Sequence, residues 1–234
     1  MDNRKISLCI TTFQRFQCTL ESFVQVANDD RLAEIIIVDD CSDQAIYKQL
    51  ETAVSFCDKV KLYRNEINLD CFLNKHKAIS LSTSDFVIIL DSDNVIDKSY
   101  LDRIFEIENW DKNTSYMPSA AAPNFIYTHF AGMTFSKTNV ANFLSERLFD
   151  TMLNCFNFFI NRDEYLRVFS NEINPITADS IWFNYLWFAA GNKMYVVPNL
   201  FYQHVISEDS HYKMKNKETG NLYNEIIDKI KHLA

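Results

Sequence analysis

The sequence predicts an α/β fold in which a mostly parallel central sheet is covered by helices on both faces. Short, almost wholly apolar runs alternate with stretches whose apolar residues recur every three or four positions. Strands buried on both faces are apolar at nearly every position, which is how these runs read. Each of three apolar runs also stops at a polar cluster: Thr11-Thr12, then Asp39-Asp40, then Asp91-Ser92-Asp93. In open α/β sheets ligands sit beyond the carboxyl ends of the strands, where the strand order reverses. Three such ends predict one cleft.

The elements follow in order. Ile6 to Thr11 reads as a strand, and Phe16, Leu20, Phe23, Val24 and Ala27 recur at helical spacing behind it. Glu34 to Val38 is the second strand, and Ser42 and Asp43 offer N-caps for a helix whose face is Ile46, Leu50 and Val54. Val60 to Tyr63 is a short third strand, followed by a loop through Asn65 and Asn68 and a helix from Phe72 to Leu81. Phe86 to Leu90 is the fourth strand. The second half is less regular. Ser180 to Ala190 reads as a helix and Lys193 to Val197 as a strand, with the segment Pro198 to His211 after it. Ser207 to Lys217 has the charge of a mobile loop closing over the site. Leu222, Ile226, Ile230 and Leu233 mark the docked face of a C-terminal helix.

With 234 residues, 47% of them hydrophobic, the chain suits one compact domain. No uninterrupted apolar run is long enough to span a bilayer, and Met1 to Lys5 lacks a signal core, so a cytoplasmic protein is expected, with peripheral attachment to a membrane compatible. The six cysteines form no C-x-x-C pair, as expected of reduced thiols. A net charge of −8 supplies no field to steer nucleic acid, so none is expected as a partner. Gly132, Gly191 and Gly220 are too scattered for a glycine-rich phosphate loop.

Asp91 and Asp93 carry the chemistry. Two carboxylates at i and i+2 on a strand end can turn oxygens toward one hard divalent cation, and oxygen ligands with open positions suit Mn²⁺ or Mg²⁺ that also holds a phosphate. A small anionic ligand bound through such a cation is compatible with the acidic chain.

The runs Ile10-Thr11-Thr12-Phe13-Gln14-Arg15, Ile36-Ile37-Val38-Asp39-Asp40-Cys41-Ser42, Asn65 to Asn74, and Ile89-Leu90-Asp91-Ser92-Asp93-Asn94 resemble, in order and spacing, the family 2 glycosyltransferases of GT-A fold. The resemblance implies a single GT-A domain over 1–234, with 1–97 binding a nucleotide sugar and 98–234 holding the acceptor and the catalytic base. It implies that Asp39 or Asp40 contacts the nucleobase, that Thr11 and Phe13 line the base pocket, and that Asn74 lies near the nucleotide. Arg15 and Ser92, inside the same motifs, join the donor-binding set. Asp91 and Asp93 flank the sugar and diphosphate through the cation, and His204, with His211 as its rival, is the further metal ligand. The donor implied is a UDP-, GDP- or dTDP-sugar and the acceptor a glycan or glycolipid. Thr11 and Gln14 depart from the usual Pro and Asn of the first motif.

In the second half, Asn157 to Leu166 resembles the family segment in which a strand is followed by Arg and a short helix on the acceptor side, and Ile176-Thr177-Ala178-Asp179 resembles the segment with Glu-Asp before a helix, with Ala178 where Glu is common. One carboxylate remains, and direct displacement at an anomeric carbon needs one general base. Asp179 is therefore the catalytic candidate, with an N-cap role beside it; Asp163, Glu164 and Asp209 are the next acids. Tyr116, Phe125, Tyr127, Phe130, Trp182 and Trp187 are core candidates that could also stack on sugars. A sugar-nucleotide-forming nucleotidyltransferase would want glycines in the first loop, which has none, and a noncatalytic sugar-nucleotide-binding module has no use for Asp179 beside a metal doublet.

Overall fold

The computed structural model describes residues 3–155, 157–175, 178–205 and 216–233. The strands are β1 (Ile6–Thr12), β2 (Leu32–Asp39), β3 (Val60–Arg64), β4 (Phe86–Asp91), β5 (Thr114–Ala122), β6 (Phe125–Ile126), β7 (Thr134–Ser136), β8 (Phe159–Asn161) and β9 (Lys193–Gln203). They form one sheet in the order β3-β2-β1-β4-β8-β5-β9-β7, with β6 on β5. β1 to β4 are mutually parallel. β8 is antiparallel to both β4 and β5, which leaves β5 and its parallel neighbour β9 pointing the same way as β1–β4.

The helices are α1 (Phe16–Phe23), α2 (Gln44–Val54), α3 (Asp70–Leu81), α4 (Lys98–Phe105), α5 (Phe149–Leu153), α6 (Arg162–Val168), α7 (Asp179–Ala189) and α8 (Asn216–Lys231). They cover both faces of the sheet. Cys9 Sγ lies 3.6 Å from the Ala78 carbonyl of α3, whereas Thr12 Oγ1 lies 2.7 Å from Thr19 Oγ1 of α1. Positions 9 and 12 differ by an odd number, so period-2 alternation sends them to opposite faces. α6 and α7 pack beside α3, and α2 packs on α1. The strands between these layers are β1, β2 and β4, each buried along most of its length, as the sequence predicts.

The structure departs from the expected elements in places. α1 stops at Phe23 rather than Ala27. β9 runs on through Pro198 to Gln203 because a bulge absorbs the proline: Pro118 pairs Val197 but Ala120 pairs Phe201, and Asn199 takes a left-handed φ of 58°. α4 and the strands β5 to β7 lie where no element was expected. α4 is capped by Asp97, whose carboxylate accepts from Tyr100 N at 3.2 Å. Asp43 is the N-cap residue of α2 without a side-chain capping bond, and Ser42 is used elsewhere. The expected closing loop, 207–217, falls on residues outside the described ones up to 215 and then on the first turn of α8. No helix among the described residues is long and apolar enough to cross a membrane.

Candidate active site

The strand order turns at β1, with β2 on one side and β4 on the other. Register then places the three polar strand ends together. Thr12 pairs Asp39, Thr11 pairs Asp91, and the loops continue the ladder through Asp40 N to Thr12 O at 2.8 Å and Ser92 N to Thr11 O at 3.2 Å.

On the β2 side the polar groups are joined mainly by hydrogen bonds. Ser42 donates to Asp39 through Oγ and, at 3.1 Å, through its backbone N–H; Arg64 Nε lies 3.5 Å from the same carboxylate. Ser42 Oγ also accepts from Gln14 N at 2.7 Å, which ties the first loop to the second. Gln14 adopts a left-handed φ of 57° to make this turn. Asp40 Oδ1 accepts from Asn65 Nδ2 at 2.7 Å and from Leu69 N at 2.8 Å, and burial pushes its carboxyl pKa up. Asn74 accepts from Asn65 Nδ2 at 3.0 Å and donates to the Val38 carbonyl at 3.1 Å. Asp40 and Asn74 are both buried, and together they hold the loops after β2 and β3 against α3.

The β4 side is built from ion pairs. Lys75, only 4% exposed, projects from α3 between two carboxylates. Its Nζ lies 3.0 Å from Asp91 Oδ1 and 2.8 Å from Asp179 Oδ2. Burial alone would push the ammonium pKa down; Asp179 and Asp91 more than offset it, and the net shift is strongly upward. Asp93 pairs with Arg15, Nη1 to Oδ2 at 2.7 Å, and its pKa is raised by burial and then by Asp91. Asp91 is held from behind by Asn157, whose Oδ1 accepts the Asp91 N–H at 2.8 Å and whose amide stands 3.4 Å from Tyr202 Oη.

Asp179 opens α7 as its first residue, and Ala178 is the N-cap residue with no side-chain bond. The carboxylate therefore does not cap the helix. It points at Lys75, and Ser180 Oγ adds a contact at 3.4 Å. The alternative acids have other partners. Asp163 is 81% exposed beside Arg162, and Glu164 is held low in pKa by Arg167, with Asn192 donating to it at 2.7 Å. Asp209 and the rival ligand His211 lie outside the described residues.

His204 follows β9, and the bridge between Val95 and Gln203, with both bonds at 2.9 Å, ties that strand end to the loop carrying Asp93. Burial lowers the His204 pKa, and the Asp91 charge acts to raise it. Its Nδ1 lies 2.9 Å from Asn124 Nδ2. Thr11 and Phe13 are half-buried at the end of β1, while Ser92 is buried under the doublet.

Sequence reasoning missed Lys75, Asn157 and Arg64. For Lys75 a signal existed: it falls on the same helical face as Phe72, Ala78 and Ile79, all buried. Asn157 and Arg64 gave none, because their roles depend on strand pairing. Of the aromatic candidates, Tyr116, Tyr127, Phe130, Trp182 and Trp187 are core, and Phe125 alone is half-buried, 5.2 Å from the His204 ring. All six cysteines are free, Cys9 and Cys57 buried and the other four half-buried.

Solved structures with this architecture include S. aureus TarS 1–349 in complex with UDP-GlcNAc, with a TM-score of 0.71 and 17% identity over 97% of this chain and 67% of that one. The chain spans 44% of the longer S. aureus TarS structure, at a TM-score of 0.65 and 16% identity. The mannosyltransferase PcManGT from Pyrobaculum calidifontis, in complex with GDP-Man and Mn²⁺, superposes with a TM-score of 0.65 at 12% identity, over 98% of this chain and 69% of its own. At these identities the likeness establishes the GT-A fold. No curated protein matches the chain in sequence. The Glycosyl transferase family 2 profile covers residues 7–169, from β1 through α6, and so takes in the carboxyl ends of β1, β2 and β4. The chain belongs to glycosyl transferase family 2 and is a glycosyltransferase.

Proposed function

We propose that this glycosyltransferase moves a sugar from a nucleoside-diphosphate sugar to a hydroxyl acceptor with inversion, assisted by a divalent cation. The observation that carries the reading is Lys75, a single buried ammonium touching both Asp91 and Asp179. One cation bonded to both carboxylates puts the candidate base in the same cleft as the acidic doublet. Asp179 takes the acceptor proton as the oxygen attacks the anomeric carbon, opposite the departing diphosphate. That geometry is a direct displacement and needs no second carboxylate, which accords with Ala178 in place of an acid. Lys75, bonded to Asp179 at 2.8 Å, orients that carboxylate on the acceptor side.

Asp91 and Asp93 would hold Mn²⁺ or Mg²⁺. The donor set fits: two carboxylates one residue apart at a strand end, which already face cationic nitrogens at 3.0 and 2.7 Å. Among the described residues no three acidic, His or Cys side chains are grouped to cage an ion alone, so donor oxygens and water would complete its shell. When bound, the ion offsets diphosphate charge. His204 is the proposed third ligand, but it is not grouped with the doublet here. Asn124 Nδ2 stands 2.9 Å from Nδ1 and donates to the His204 carbonyl at 2.9 Å, so Nδ1 accepts, and binding an ion through Nε2 requires the ring to change tautomer and leave Asn124. Thr11, Phe13 and Asp39 line the proposed base pocket with Arg15 and Ser92 alongside, while Asp40 and Asn74 hold its wall. PcManGT with GDP-Man and Mn²⁺ and TarS with UDP-GlcNAc support this class of donor. We place donor binding within 1–97 and acceptor and base within 98–234. The test is sugar release from a panel of UDP-, GDP- and dTDP-sugars with Mn²⁺. Slow hydrolysis of one donor, lost on chelation, is expected; binding without turnover of any donor would remove the catalytic reading.

A further inference from the structure

Resting on the metal-assisted reading, we infer that Arg15 is a built-in competitor of the divalent cation. Its guanidinium occupies Asp93 while no ion is bound, and it must leave that carboxylate for the ion to enter. Three observations carry this. The pair is close, 2.7 Å, and shielded, with the two side chains 21% and 15% exposed. The Arg15 backbone is anchored: its carbonyl accepts from Thr19 N at 3.2 Å and also from Thr19 Oγ1, and Thr19 is tied in turn to Thr12 on β1. Exchange at Asp93 is therefore a movement of the Arg15 side chain alone. Lastly, Asp91 already has Lys75 at 3.0 Å, so in the ion-free chain each acid of the doublet carries its own cation.

The consequence is a linkage. An ion that binds only when Asp93 is open has its affinity reduced by the fraction of molecules in which Arg15 holds that carboxylate. Anything that draws Arg15 away tightens the ion, and the ion in turn frees the guanidinium, a group suited to bidentate bonds with phosphate. Ion and diphosphate should then reinforce each other through one side chain.

The experiment is calorimetric titration of Mn²⁺ alone, and again with UDP, into the parent, Arg15→Gln and Arg15→Lys. Melting temperatures establish that each variant is folded, and Arg15→Lys serves if the Gln variant is not. Removing the competitor should tighten Mn²⁺ by about two- to fivefold, the range for a partly exposed ion pair. Arg15→Lys should fall between, and adding Asp93→Asn should abolish the gain. Equal Mn²⁺ affinity in parent and Arg15→Gln overturns the inference, as does a gain that survives Asp93→Asn. Mn²⁺ binding to neither protein, even with UDP, would overturn it together with the metal-assisted reading. Loss of sugar release with intact Mn²⁺ competition would count against the transfer reading alone.

Discussion

The two sides of the cleft are held by different forces. Beside β2, Asp39, Asp40, Asn65 and Asn74 are linked chiefly by hydrogen bonds, and Asp40 and Asn74 sit at buried positions with partners inside the chain. Beside β4, Asp91, Asp93 and Asp179 are compensated by Lys75 and Arg15. A satisfied hydrogen-bond network sets shape and resists change, because opening any member leaves a buried polar group unpaired. Ion pairs between side chains can exchange partners when a stronger charge arrives. The first arrangement suits recognition of a neutral base, the second a reaction that moves charge.

The contrast breaks most sharply at Asp179. Asp179→Asn should lower the transfer rate by roughly 10²–10⁴-fold, the expected loss for a missing general base. Its melting temperature should fall by less than that of Lys75→Ala, since Lys75 loses its strongest charge partner but keeps Asp91, and the amide oxygen can still accept from it. A near-normal rate in the Asn variant would take Asp179 out of the mechanism.

Lys75→Ala comes next. It leaves the buried Asp179 carboxylate without its cation, and breaking a buried pair in this way costs about 3 kcal/mol of stability. Lys75→Arg should recover part of this. Urea denaturation of both variants measures it, and equal stability of Lys75→Ala and parent would mean that the pair is not holding α3 to α7.

Asp40 sharpens the comparison from the other side. Asp40→Ala strands the Leu69 N–H and Asn65, at a cost of about 1–3 kcal/mol, whereas Asp40→Asn keeps an acceptor oxygen and should stay close to the parent. A variant pair equally unstable would show that charge, not hydrogen bonding, is what matters there.

The smallest effect is a pH slope. Burial raises the folded pKa of Asp40 above its unfolded value, so the folded chain holds this proton more tightly. That contribution is complete below the unfolded pKa and is lost as pH rises through the folded one. Between these limits the parent should lose stability with rising pH relative to Asp40→Asn. Paired denaturation curves across the carboxylate range test this, and parallel pH profiles would count against it.

Much of this site could be read in one dimension. Asp91-Ser92-Asp93 is visible because strand and turn chemistry is local: an apolar run ends and its next residues face solvent or ligand. The buried faces of β1, β2 and β4 are legible for the same reason. Arg64 and Asn157 are not, since each is brought to its partner by strand pairing, β3 on β2 and β8 on β4. The extension of β9 past Pro198 was equally hidden, because proline argues against a strand unless a bulge removes the need for its N–H.

What the sequence determined by itself is therefore the set of strand ends and the acids on them, because periodicity and strand termination are properties of neighbouring residues. The tertiary structure alone decided that Asp179, 104 positions beyond Lys75, shares that ammonium with Asp91. It likewise decided that Asp179 is not a cap and that Arg15 sits on Asp93. Burial of a charge is tolerated only where an opposite charge meets it, and which segments meet is set by how α3 and α7 pack over the sheet.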